Sequence, residues 1–210
     1  MPTTQPSTSR AVANRFWPGR RVLVAGGTHG FGLVLARQLA GRGAQLLLVG
    51  RSPAGVRAAI AACESAAAAA GWPVEGLHGL AADLAQPGEG DRAVAVCLEK
   101  LGGLDSLFFC IGRSGRTAVL KLPADEFRAA IEVNLITAIE ISQAAADPIC
   151  RAGGELVYIG YNLVPTDGVP SVTVGVVAGD GAVSRRIHVP CVRPSMQHDV
   201  GITATRTVLL

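Results

Sequence analysis

From Arg21 to residue 159 the chain alternates short, unbroken apolar runs with longer segments whose apolar residues return every three or four positions. The runs at 21–25, 44–50, 74–81, 105–111 and 155–159 predict strands, and the segments 30–41, 53–70, 90–101 and 124–146 predict helices. An apolar run without polar alternation fits a strand buried on both faces, as in a parallel sheet covered by helices. Strand and helix in strict alternation predict an α/β fold with a doubly wound parallel sheet and right-handed crossovers. No internal repeat interrupts this pattern, and the alanine run at 66–70 reads as the end of a helix.

The most informative junction is the first. The strand Val22-Leu23-Val24-Ala25 runs into Gly26, Gly30 and Gly32 at the spacing G-x-x-x-G-x-G, and Leu33, Leu35, Ala36, Leu39 and Ala40 then recur at helical spacing. Strand, glycine turn and helix in that order build a dinucleotide cradle. Missing side chains let the backbone approach a pyrophosphate, and the helix N-terminus offers free N–H groups and the positive end of its dipole. Thr28, His29 and Phe31 complete the candidate binding turn.

Composition narrows the classes of partner. The 210 residues are 49% hydrophobic, enough for a layered core, and the formal charge is only +3 with 4% aromatics. No basic block interleaved with aromatics suggests nucleic acid. Residues 1–19 are read as a flexible leader, because the stretch rich in Ser, Thr, Pro and Gln carries no apolar signal-peptide core. No apolar stretch reaches the length of a membrane span. Cys63, Cys97, Cys110, Cys150 and Cys191 are scattered without a C-x-x-C pair, which fits reduced thiols and a cytoplasmic location. His29, His78, His188 and His198 form no ligand-spaced cluster, so no metal site is expected.

Over residues 20–159 the chain resembles the short-chain dehydrogenase/reductase family, whose members are NAD(P)-dependent enzymes of Rossmann fold. Ala25-Gly26-Gly27-Thr28-His29-Gly30-Phe31-Gly32 is similar to the family's T-G-x-x-x-G-x-G, with Ala25 in place of Thr. Asp83, followed by Leu84, stands where the resemblance implies a hydrogen bond to the adenine amine. Gly112 is what remains of the N-N-A-G motif, and Asn134 matches the helix Asn that shapes the active site. The second strand ends in Gly50-Arg51-Ser52 without an acid. Arg51, Ser52 and His29 would accommodate a 2′-phosphate, so NADP(H) is expected over NAD(H).

The resemblance breaks after the fifth strand. The family's catalytic Ser, Tyr and Lys fall, in the same register, on Gly160 or Tyr161, on Val174 and on Ala178. The chain's two lysines are Lys100 and Lys121, and no Tyr follows Tyr161, so the Y-x-x-x-K motif is absent. Ser171 to Val189 holds three glycines and six valines around Gly179-Asp180-Gly181, which disfavours the catalytic helix and predicts a hairpin. The expected domains are the leader at 1–19, an NADP-binding domain at 20–160 and a diverged tail at 161–210 that leaves the C-terminal part incomplete or atypical.

Three functions follow. The first is a nominal NADPH-dependent carbonyl or alcohol oxidoreductase of weak or no activity, with Asn134 and Tyr161 as the catalytic candidates and Tyr158 beside them. The second is a non-catalytic NADP(H)-binding sensor or partner subunit. The third is a remnant left by truncation or a shifted reading frame. Family members pair through the helix carrying Asn134 and the catalytic helix after it, so a homo-oligomer is expected in weakened form.

Overall fold

The computed structural model describes residues 16–113, 122–166, 169–178, 183–190, 200–202 and 207–209, with side chains described up to residue 159. Strands β1 (Arg21–Ala25), β2 (Gln45–Gly50), β3 (Leu77–Ala81), β4 (Ser106–Phe109) and β5 (Glu155–Thr166) pair in parallel in the order β3-β2-β1-β4-β5. Helices α1 (Gly30–Ala40), α2 (Pro53–Ala69) and α3 (Glu89–Leu101) make the crossovers. A longer helical stretch links β4 to β5. It is formed by α4 (Ala124–Ile131), a π-helical turn (Glu132–Ile136) and α5 (Thr137–Ala152). This is the doubly wound, Rossmann-like sheet that the alternation predicts.

Alternate residues of the central strands supply two cores. Val22, Val24, Leu46, Leu48 and Phe108 pack with Leu35, Leu39, Ala59 and Cys63 of α1 and α2. Leu23, Leu47, Val49, Leu107 and Phe109 pack with Ala93, Cys97, Ile141 and Ile149 of α3 and α5. Both faces of β1, β2 and β4 are therefore apolar, which is why their runs show no polar alternation.

Several boundaries move for identifiable reasons. β3 begins at Leu77 rather than 74, because Leu77 N–H turns back to the Val74 carbonyl. β4 gives up Asp105, whose carboxylate is taken by Arg21. The helix predicted to stop at 146 runs through Pro148 to Ala152 and ends on Gly153 at φ +59°. Residues 16–19, read in the sequence as leader, belong to the folded body. Trp17 is 2% exposed, stacks edge-on with Phe16 and lies against Phe108, while Gly19 N–H bonds the Gly43 carbonyl. One aromatic ring in a polar stretch was enough to bring the stretch into the core.

After β5 the chain stops crossing over. β6 (Val169–Ala178) pairs antiparallel with β5, and β7 (Val183–Pro190) pairs antiparallel with β6 at the sheet edge. A separate short pair, β8 (Val200–Ile202) and β9 (Thr207–Leu209), follows. The sheet thus keeps the order 3-2-1-4-5-6 with its sixth strand reversed.

Candidate active site

The parallel strands end on one side of the sheet, and the strand order reverses between β1 and β4, where a doubly wound fold opens its ligand crevice. The glycine turn fills the β1 side of that crevice. Gly26 and Gly27 N–H groups both bond the Val49 carbonyl, at 3.0 and 3.2 Å, so the turn is tied to the end of β2. Gly26 has φ +84°, and a Cβ at Gly32 would fall on the Gly26 carbonyl oxygen. Those two glycines hold α1 against the turn. Gly30 opens α1 at φ +53° with open space where a Cβ would be. Gly30 is exposed at the start of α1.

The polar residues of the turn collect toward β2. Gly50 has no side chain, and Thr28 occupies the place its Cβ would take. The Thr28 hydroxyl lies 3.3 Å from His29 Nδ1, and His29 is the exposed N-cap residue of α1, with no hydrogen bond from its side chain to the helix. Arg51 is exposed next in the chain. Ser52 caps α2, its hydroxyl accepting from Gly55 N–H at 3.3 Å, with Pro53 in the first turn. Arg51 is thus an exposed cation placed between the end of β2 and the N-cap of α2.

Asp83 is exposed beyond β3 and accepts from Ala85 N–H, while Leu84 is buried against the α3 side of the sheet. Phe31, expected in the binding set, directs its side chain into the core between α1 and the sheet. Its backbone alone remains for a ligand. Cys110 closes the floor behind the turn, near the position of a Gly32 Cβ, and burial pushes its thiol well above the ordinary range.

On the β4 side, Gly112 leads to Arg113, which Asn134 holds by both ends of its peptide. Arg113 N–H donates to Asn134 Oδ1 at 2.6 Å, and Asn134 Nδ2 donates to the Arg113 carbonyl at 2.8 Å. Asn134 sits in the π-helical turn, where a widened helix sets a side chain apart from the regular surface, and Thr137 satisfies the Glu132 carbonyl at 2.9 Å. Arg113 as the partner of Asn134 had no signature in the sequence, since the two are 21 positions apart and the contact is to backbone.

Tyr161 lies on β5 opposite Val172, and its side chain is outside the described residues. Tyr158 is committed elsewhere. Its phenol bonds Ser142 of α5 and its ring lies against Phe109. Val174 and Ala178, the positions of the family's Tyr and Lys, are on strand β6 opposite Ile159 and Glu155. Glu155 starts β5, so Ala178 is at the end of the sheet away from the crevice.

The model of the family described as short chain dehydrogenase matches residues 20–167. The chain belongs to this family. Among curated relatives it is 27% identical over 143 residues to the hydroxysteroid 11-beta-dehydrogenase 1-like protein of Danio rerio, covering 67% of this chain and 47% of that protein. It is 28% identical over 142 residues to the 3-oxoacyl-[acyl-carrier-protein] reductase MabA of Mycobacterium bovis, covering 67% of this chain and 50% of that one. A short chain dehydrogenase from Burkholderia cenocepacia, solved in complex with NADP, is 32% identical with a TM-score of 0.56, over 63% of this chain and 52% of that chain. The chain thus spans about half the length of the curated relatives it matches. Family membership makes it an oxidoreductase-family protein with a nucleotide-binding fold. No helix among the described residues is long and apolar enough to cross a membrane.

Proposed function

We propose that this chain binds NADP(H) in the crevice between β1 and β4 and catalyses hydride transfer to or from a carbonyl or alcohol weakly or not at all. The observation that carries the reading is the contrast between the bare backbone at Gly30, with Arg51 at the end of β2, and the family's Tyr and Lys positions on a strand. On a helix, residues four apart are about 6 Å apart along the axis and share a face, which is how a Lys reaches a Tyr. On a strand the same spacing spans about 13 Å. The sequence holds no Tyr followed by a Lys four positions later, and loss of general acid–base help typically costs about 10²- to 10⁴-fold in rate.

Bound NADP(H) would supply the hydride. The chain's own residues would hold its two ends: the glycine turn and α1 N-terminus at the pyrophosphate, Arg51 and His29 at a 2′-phosphate, Asp83 at the adenine, and the Gly112 segment on the nicotinamide side. Arg51 favours NADP(H) over NAD(H) because a guanidinium can pair a phosphate bidentately and no acid ends β2 to bind a ribose 2′-hydroxyl.

A partner-subunit role is a second reading, favoured by the helix face opposite the sheet. Phe127, Ile131, Leu135 and Ile139 recur every four residues, are 39–53% exposed, and α4 and the π-helical turn contain no buried residue. Such a stripe fits pairing with a second copy or with an active relative. Calorimetry with NADPH and NADH tests the binding reading, followed by a turnover assay on carbonyl substrates. Tight NADPH binding with negligible turnover is the expected result, and no binding of either nucleotide would overturn it in favour of a remnant.

A further inference from the structure

Among the described residues, the β4 side of the crevice is held by the pairing of Asn134 with Arg113. Asn134 latches Arg113, and through it Gly112, but Asn134 itself sits on a stretch of α4 and π-helical turn in which no residue is buried. Packing therefore fixes Asn134 only from Thr137 onward, where Thr137, Ala138 and Ile141 are buried against the sheet. Among the described residues, a polar contact joins that first secured turn of α5 to β5: Ser142 with Tyr158.

The direction of that contact follows from counting protons. Ser142 has one hydroxyl proton, and its oxygen lies 2.5 Å from the Ala138 carbonyl, which can only accept. Ser142 therefore donates to Ala138, and the Tyr158 phenol donates to Ser142. The chain of bonds runs from β5 into the helix backbone at residue 138, one turn beyond Asn134. Tyr158 is also braced by the Phe109 ring at the end of β4, the strand that leads into Gly112.

We propose that Tyr158 is a positioning residue for the dinucleotide site: its hydroxyl, through Ser142, sets the seat of α5 on β5 and so holds the Asn134–Arg113 latch beside the nicotinamide half of a bound cofactor. This rests on the dinucleotide reading above. It also accounts for the family-like Asn134 being kept in place in a chain whose next catalytic element is a strand. The adenosine half of the cofactor would lie across β1 from this clamp, against Thr28, Arg51 and Asp83, and does not depend on it.

The test compares whole and half cofactor by calorimetry, with NADPH and adenosine 2′,5′-bisphosphate as the probes. Tyr158→Phe and Ser142→Ala each lower NADPH affinity about three- to tenfold, the range that one hydrogen bond carries, and leave the bisphosphate affinity unchanged. The double variant is no worse than Ser142→Ala alone, because that substitution already removes the bond that Tyr158→Phe removes. Thermal unfolding of each variant separates this from general destabilisation. Equal loss of both probes, or no loss of either in variants of a wild type that binds both, overturns the clamp and leaves the dinucleotide reading standing. A wild-type chain that binds neither probe overturns both.

Discussion

Up to β5 every strand is followed by a helix that carries the chain back across the sheet, so each new strand starts at the same end as the last. After β5 the chain reverses instead, into β6 and then into β7. The two regions extend one sheet, yet they treat residues near the site in opposite ways. Crossovers deliver strand ends, glycine turns and helix N-termini to one edge, which is why Gly30, Arg51, Asp83 and Gly112 converge although they are spread over more than 80 positions. Hairpins send successive residues away along the strand. Val174 is level with Ile159, and Ala178 is already level with Glu155 at the far end. A motif that depends on i, i+4 proximity cannot survive that change of backbone, whatever residues occupy it.

The comparison is broken most severely by Gly32→Ala. The added methyl meets the Gly26 carbonyl, which α1 and the turn cannot both avoid. A loss of about 3 kcal/mol in urea unfolding is expected, with NADPH binding abolished. A normal turn in that variant would mean that the crossover half is not as tightly constrained as its geometry implies. Arg51→Glu leaves the fold intact and separates the two nucleotides. NADPH affinity falls about thirtyfold, as for a lost charge-assisted hydrogen bond, while NADH affinity changes little. Equal effects on both nucleotides in calorimetry would remove Arg51 from the 2′-phosphate site.

At the other end of the sheet, Asp105 accepts from Arg21 Nε at 2.9 Å, from a terminal guanidinium nitrogen at 2.7 Å and from Arg21 N–H at 2.8 Å. The Arg21 guanidinium holds the Asp105 carboxyl below the usual carboxylate range. A carboxylate with a depressed folded-state pKa stabilises the fold at pH values above its unfolded pKa, near 4, and that contribution is lost as pH falls through the folded pKa. Asp105→Ala should cost about 2 kcal/mol at neutral pH and should flatten the acid limb of the stability curve. An unchanged acid limb in the variant would assign the loss to another carboxylate.

The smallest effect is the most diagnostic. Placing Tyr and Lys by the double substitution Val174→Tyr and Ala178→Lys restores the family's letters without restoring the geometry. Carbonyl reduction followed by nicotinamide absorbance should not rise. A clear gain in activity would show that residues 171–189 can adopt the helical backbone of the longer relatives.

The sequence by itself determined the parallel core and the glycine turn. Unbroken apolar runs, helical spacing and three glycines are local signals, and burial on both faces leaves little freedom in how such strands pack. It also determined that no Tyr-x-x-x-Lys motif is present, since that is a matter of composition. Only the tertiary structure decided that Trp17 belongs to the core, that Phe31 turns inward and that the Tyr158 phenol pairs with Ser142 of α5. Each of these depends on what lies across the sheet, sixteen positions away for Tyr158 and ninety-one for Trp17 against Phe108, and side-chain contacts at such separations leave no periodic trace along the chain.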